Sequence, residues 1–233
     1  MTPKPPLARA AQLLLPLALS AAAYGQSLCS SDGQPQPVAL LERFINADCE
    51  ACWSDPATPK AAAHELALDW VLPGAKGDDA PLSSVARRDA LTRLEALGRK
   101  APEQTDAARH AVRPGPQMLR VAQGPAVNDY VGTSIALRQP GAAKWSAWLA
   151  LVETVPAGIE GSPVERNLVR NTFQPPWEGG ASLSKTDRRR LFESRPMQIP
   201  EGAKASRLRV IGWLEDSQGR IRSIAQSRCA PQK

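Results

Sequence analysis

Histidine is almost missing from this 233-residue chain: only His64 and His110 are present. No Gly-x-Ser-x-Gly and no His-Glu-x-x-His occurs, which excludes the common serine-triad and zinc-protease arrangements. Long apolar runs are also scarce. The one at residues 10–23 is too short to span a bilayer comfortably, and no second candidate follows. Aromatic residues do not interleave with the densest basic run, Lys185, Arg188, Arg189 and Arg190, so it reads as a solvated face and no nucleic-acid partner is expected. No internal repeat is visible.

What the chain does have begins at its amino end. Lys4 and Arg9 precede a small apolar stretch centred on Leu13, Leu14 and Leu15, and Ala23-Tyr24-Gly25 supplies small residues before Gln26. This pattern predicts a secretory signal over residues 1–25. The formal charge of +6 falls to +4 once Lys4 and Arg9 leave with it. The expected location is periplasmic or secreted, with no membrane span after signal removal. Four cysteines remain: Cys29, Cys49, Cys52 and Cys229. An even count in an oxidising compartment predicts two disulfides, with three pairings open. A local Cys49–Cys52 bridge would leave Cys29 with Cys229, stapling the two ends.

The central stretch is Asp48-Cys49-Glu50-Ala51-Cys52-Trp53. It follows an apolar run, residues 38–46, that reads as a buried strand. A strand that delivers Cys-x-x-Cys into a helix start is a redox geometry, because the free N–H groups there favour a thiolate. Cys49 is then the attacking sulfur and Cys52 the resolving one. Asp48 and Glu50 oppose the thiolate, which predicts a weakly oxidising couple.

Downstream, Thr58-Pro59 predicts a helix start that runs into a strand at residues 66–72. Ser83 or Ser84 opens a helix carrying Val85, Leu91, Leu94 and Leu97 and ending at Gly98. Residues 99–113 read as polar and partly helical. A third strand follows at residues 118–122, and Asn128 reads as the cap of a short helix to Leu137. After Gln139-Pro140-Gly141 the pattern turns to strands, with Asp216-Ser217-Gln218-Gly219 a hairpin turn between residues 207–214 and 221–226. Of Trp145, Trp148 and Trp177, the first two lie on opposite faces of one strand. One is expected in the core and the other facing outward or into a domain interface.

A strand ending in Cys-x-x-Cys, then helix, strand and helix, with Gly115-Pro116-Gln117 before a later strand, resembles the thioredoxin-like superfamily. More closely, it resembles a secreted thioredoxin-like family of unknown function, also at Asn167-Leu168-Val169-Arg170 and Gly219-Arg220-Ile221. That family carries serines between the cysteines and two prolines after them; here stand Glu50-Ala51 and Trp53-Ser54. The resemblance implies an α/β chain: a thioredoxin-like domain over residues 26–140 and an antiparallel, β-rich region over residues 141–233. It also implies that Pro116 is a cis-proline beside Cys49 and Cys52 and shapes a substrate groove.

The expected function is thiol–disulfide exchange with envelope protein thiols or disulfides, with Cys49, Cys52 and Pro116 as site residues and no cofactor. Two alternatives are carried with it. One is a redox-inactive scaffold or binding module. The other is a soft copper or zinc ion on Cys49 and Cys52 with His64 or Met118.

Overall fold

A computed structural model describes residues 29–141, 143–177 and 190–229. The expected signal and Lys185, Arg188 and Arg189 lie outside them. Twelve strands are present among the described residues: β1 Cys29–Ser30, β2 Ala39–Asn46, β3 Glu65–Leu72, β4 Thr105–Ala111, β5 Met118–Val127 and β6 Tyr130–Arg138, then β7 Ser146–Val155, β8 Arg166–Phe173, β9 Arg190–Gln198, β10 Leu208–Glu215, β11 Ile221–Gln226 and β12 Arg228–Cys229. Two α-helices accompany them, α1 Glu50–Trp53 and α2 Asp89–Ala96.

This corrects the expected α/β, thioredoxin-like half. Strand takes 46% of the described residues and helix 11%, in two sheets. Three expected helical segments are not helices. Residues 58–64 are irregular, and Arg43 and Arg166 donate to Pro59 O and Thr58 Oγ1 there. Residues 105–111 are β4, an antiparallel edge beside β2. Asn128 and Asp129 both have positive φ, 48° and 60°, so they make a tight hairpin turn between β5 and β6 instead of capping a helix.

The smaller sheet runs β12-β1-β5-β6-β9 and the larger β11-β10-β7-β8-β3-β2-β4. Residue 140 divides neither of them, since both take strands from before and after it. Within the larger sheet, β2 pairs with β3 in parallel over eight positions and with β4 antiparallel over seven. The sheet curls until its edges approach. Val112 N–H donates to Val38 O beside β2, and Arg113 N–H donates to Ile221 O of β11. Trp70 of β3 accordingly meets Trp213 of β10 edge-on at 6.4 Å, although two strands separate them in the sheet order.

β7 is buried on both faces, which explains Trp148 within it and Trp145 just ahead of it. Trp148 packs inside the curled sheet with Leu40, Phe44, Trp70 and Trp213. Trp145 packs on the other side, between the two sheets, with Trp177, Leu119 and Val121. None of Trp145, Trp148 and Trp177 faces outward; all are buried. Gly212 marks a close approach of the sheets, because a side chain there would press on Val121 and Ile135 of the smaller sheet.

α2 closes the interior of the curled sheet with an arginine. Arg93 donates through Nε and Nη2 to the two Glu42 oxygens, each at 2.8 Å, and its Nη1 lies 2.7 Å from Glu215 Oε1. Trp70 and Trp213 donate their indole N–H groups to Glu42 and Glu215. Burial alone would push the Glu42 carboxyl up, but Arg93 and His110 hold it below its ordinary value.

Candidate functional site

The site grows out of the far end of β2. Its side chains alternate between two buried environments: Glu42 points into the curled sheet with Phe44, and Arg43 points to the opposite face. Beyond Asn46 the chain turns sharply. Asp48 N–H donates to Asn46 Oδ1 and Cys49 N–H to Asn46 O. The Asp48 carboxylate then accepts from Ala75 N at 2.7 Å and Lys76 N at 3.2 Å. Gly74 makes that contact possible, since a Cβ there would overlap the Asp48 carboxylate.

Cys49 is the residue before α1, and that helix has a single turn. Its carbonyl end is held by a residue far away in the chain. Arg166 Nη2 donates to Cys52 O at 3.3 Å, to Trp53 O at 2.8 Å and to Thr58 Oγ1 at 3.2 Å. It thereby satisfies carbonyls that a helix end otherwise leaves open. The same guanidinium lies 5.1 Å from the Trp53 ring centre, and the Trp53 indole donates to Glu160 O. Behind Arg166 sits Asp69, which accepts from Arg166 Nη1 at 3.1 Å, Arg43 Nη2 at 2.6 Å and Asn167 N at 2.7 Å. Burial, and then Arg43, draw the Arg166 guanidinium below its ordinary value, while Asp69 works against them.

Cys49 and Cys52 are disulfide-bonded, with Cα atoms 5.4 Å apart. Their exposures differ. Cys49 is half-buried and lines an open depression of about 470 Å³ with Asp48, Glu50, Ala51, Glu103 and Gln104. Cys52 is buried and faces a smaller cavity of about 240 Å³ that Arg43 and Arg166 also line. Cys29 and Cys229 are also disulfide-bonded; they face each other across β1 and β12, at one edge of the smaller sheet.

Pro116 does not belong to this site. No cis peptide bond is present among the described residues, so the expected cis-proline is corrected. Its neighbours Val112 and Arg113 are fastened near Val38, at the starting end of β2. Cys49 lies past the other end, a strand of eight residues or about 26 Å away. The third ligands named for the metal alternative do not gather at the cysteines. His64 O accepts from Val38 N at that same distant end, and Met118 is exposed at the start of β5. In the disulfide form neither cysteine offers a thiolate to a soft ion.

Sequence reasoning missed Asp69 and Arg166. A signal was there: Asp69 interrupts the apolar run Leu66-Ala67-Leu68-Asp69-Trp70-Val71-Leu72. An acidic side chain in a strand buried on both faces demands a cation. Among the described residues no helix is long and apolar enough to cross a membrane. Comparison with known proteins adds no relative, since no protein-family model and no curated protein matches the chain.

Proposed function

We propose that the protein exchanges thiols and disulfides at Cys49 and Cys52, acting on protein thiols or disulfides in the periplasm or outside the cell. The asymmetry of the pair carries this reading: one sulfur lines an open depression and its partner lies behind it. A partner thiolate attacks Cys49 Sγ, the Cys49–Cys52 bond breaks, and Cys52 leaves as a thiolate and takes a proton. A second partner thiolate then attacks the partner's own sulfur in the mixed disulfide, and Cys49 leaves as a thiolate. Two electrons pass to this protein and the partner becomes a disulfide; the reverse sequence reduces a partner.

Loop length supports the division of labour between the two bridges. In the chain-entropy model a bridge between residues 200 apart stabilises by about 5 kcal/mol, and one between residues three apart by only about 2 kcal/mol. Cys29–Cys229 is therefore the staple, and Cys49–Cys52 can open at little cost to the fold.

In Cys52→Ala cells, Cys49 is expected to accumulate mixed disulfides that resolve as discrete bands on non-reducing gels and vanish in Cys49→Ala/Cys52→Ala. Absence of adducts, with Cys49 of the reduced protein closed to alkylation, favours a redox-inactive scaffold. The couple is also expected to be weakly oxidising. α1 is too short to offer much dipole, and Glu50 and Glu103 line the depression at Cys49. A glutathione titration should place its potential well below the about −120 mV of strong periplasmic oxidants, and Glu50→His should raise it. A wild-type potential near that value would refute the charge argument.

A further inference from the structure

β3 and β8 run parallel but meet in register at a single pair, Asp69 with Leu168. Toward their starting ends side-chain bonds replace the ladder, with Asn167 Nδ2 donating to Ala67 O and Asn167 N–H to Asp69. A groove of about 470 Å³ opens there, away from the Cys49 depression, between Leu66 and Ala67 on one side and Glu165 and Asn167 on the other. Arg43, Lys60, Glu65, Arg209 and Arg228 also line it.

The charges in this groove do not balance. Arg43 is matched by Asp69 at 2.6 Å, and Glu65 by Arg109 at 2.6 Å. Among the described residues that leaves Lys60, Arg209 and Arg228 against the one carboxylate of Glu165. Each of the buried arginines Arg43, Arg93, Arg166 and Arg170 has a carboxylate within 3.5 Å. Among the described residues, half-buried Arg209 makes its hydrogen bonds only to neutral amides: Nη1 to Gln226 Oε1 at 3.2 Å and Nη2 to Asn167 Oδ1 at 2.7 Å. Each Nη keeps a further N–H, because a guanidinium has five. Burial draws the Arg209 guanidinium below its ordinary value, and Arg228 adds to this while Glu165 opposes it. A desolvated guanidinium whose nearest carboxylate, Glu165, makes no ion pair with it costs free energy that an anion from outside would offset.

We propose that this groove binds a small polyvalent oxyanion, a carboxylate or a phosphate, with Arg209 as its anchor and Lys60 and Arg228 as flanking cations. A forked guanidinium suits two oxygens of one such group. Glu165 competes with the ligand for Arg209.

Isothermal titration calorimetry of the full protein at pH 7 tests this, with inorganic phosphate and citrate as separate probes and ionic strength fixed by sodium chloride. One saturable site is expected for at least one probe. Arg209→Gln should weaken it about tenfold or more, the loss of a charged hydrogen bond. Lys60→Ala and Arg228→Ala should each weaken it about threefold. Glu165→Gln should tighten it, and because Glu165 is exposed that variant reads out even where Arg209→Gln fails to fold. Response to phosphate alone identifies a phosphate ligand, and response to citrate alone a carboxylate. No saturable heat with either probe overturns the proposal, as does an affinity unmoved by Glu165→Gln and by folded Arg209→Gln.

Discussion

Arg93→Ala is expected to cost about 3–5 kcal/mol of stability at neutral pH, because it strands the buried Glu42 and Glu215 carboxylates together without their cation. Packing is lost as well. The Arg93 guanidinium lies 5.2 Å from the ring centres of both Trp148 and Trp213, and it fastens α2 to β2 and β10. Urea unfolding at several pH values separates these effects. In the intact protein the folded Glu42 pKa is depressed, so its contribution is present above the unfolded value, near 4.5, and is lost as pH falls through the folded value. Without Arg93 only His110 works against burial at Glu42, and the folded pKa is expected to rise above the unfolded one. The folded variant then binds protons more readily than its unfolded chain, and its deficit against wild type should shrink as pH falls from 7 to 4. A deficit that is constant over that range would assign the loss to packing alone.

The apolar strands were legible because they are buried on both faces. Residues 38–46 read as a central strand and 66–72 as a second strand, and they are the parallel pair β2 and β3. The hairpin at Asp216-Ser217-Gln218-Gly219 was readable from turn chemistry, and there Asp216 accepts from Gln218 N and Arg220 N. β4 was illegible because Thr105-Asp106-Ala107-Ala108-Arg109-His110-Ala111 has no apolar face to mark it. Its strand state comes from seven ladder positions against β2, a tertiary effect that overrides weak propensity. The thioredoxin-like reading failed for a related reason. Strand, Cys-x-x-Cys and strand follow in that order, but the helix expected after Thr58 is absent. Carbonyl and hydroxyl groups there serve Arg43 and Arg166, and His64 takes a positive φ of 61° just before β3.

The candidate site was half legible. Cys49 and Cys52 announce themselves by spacing, and the acidic neighbours Asp48 and Glu50 are adjacent in sequence. The two carboxylates stand differently: Asp48 is engaged by the backbone N–H groups of Ala75 and Lys76, while Glu50 is exposed. The support beneath the motif comes from Asp69, 17 residues past Cys52, and Arg166, 114 residues past it. No local pattern joins those positions; only the parallel pairing of β3 with β8 does.

Asp69→Asn tests that support and should have the largest effect on the site. Asp69 is fully buried and is the carboxylate shared by Arg43 and Arg166. Asparagine keeps the shape but removes the charge, and it offers N–H donors where acceptors are needed. The two guanidiniums are then left in a buried space with like charge, at a cost of about 3–5 kcal/mol. The local consequence follows from Arg166. Its Nη2 holds the carbonyls of Cys52 and Trp53, and a one-turn helix has few bonds of its own to replace them. As Arg166 shifts, the Cys49–Cys52 bridge becomes more accessible to reductant. Cys29–Cys229, in the other sheet, serves as the internal reference. Native-state reduction with dilute dithiothreitol, quenched by alkylation and read by mass spectrometry, gives both rates in one sample. Asp69→Asn should raise the ratio of Cys49–Cys52 to Cys29–Cys229 reduction. Arg93→Ala, similarly destabilised but altered on the other face of β2, should leave that ratio near the wild-type value. Equal acceleration of both bridges in Asp69→Asn would mean that global unfolding governs reduction and that Arg166 does not hold the motif.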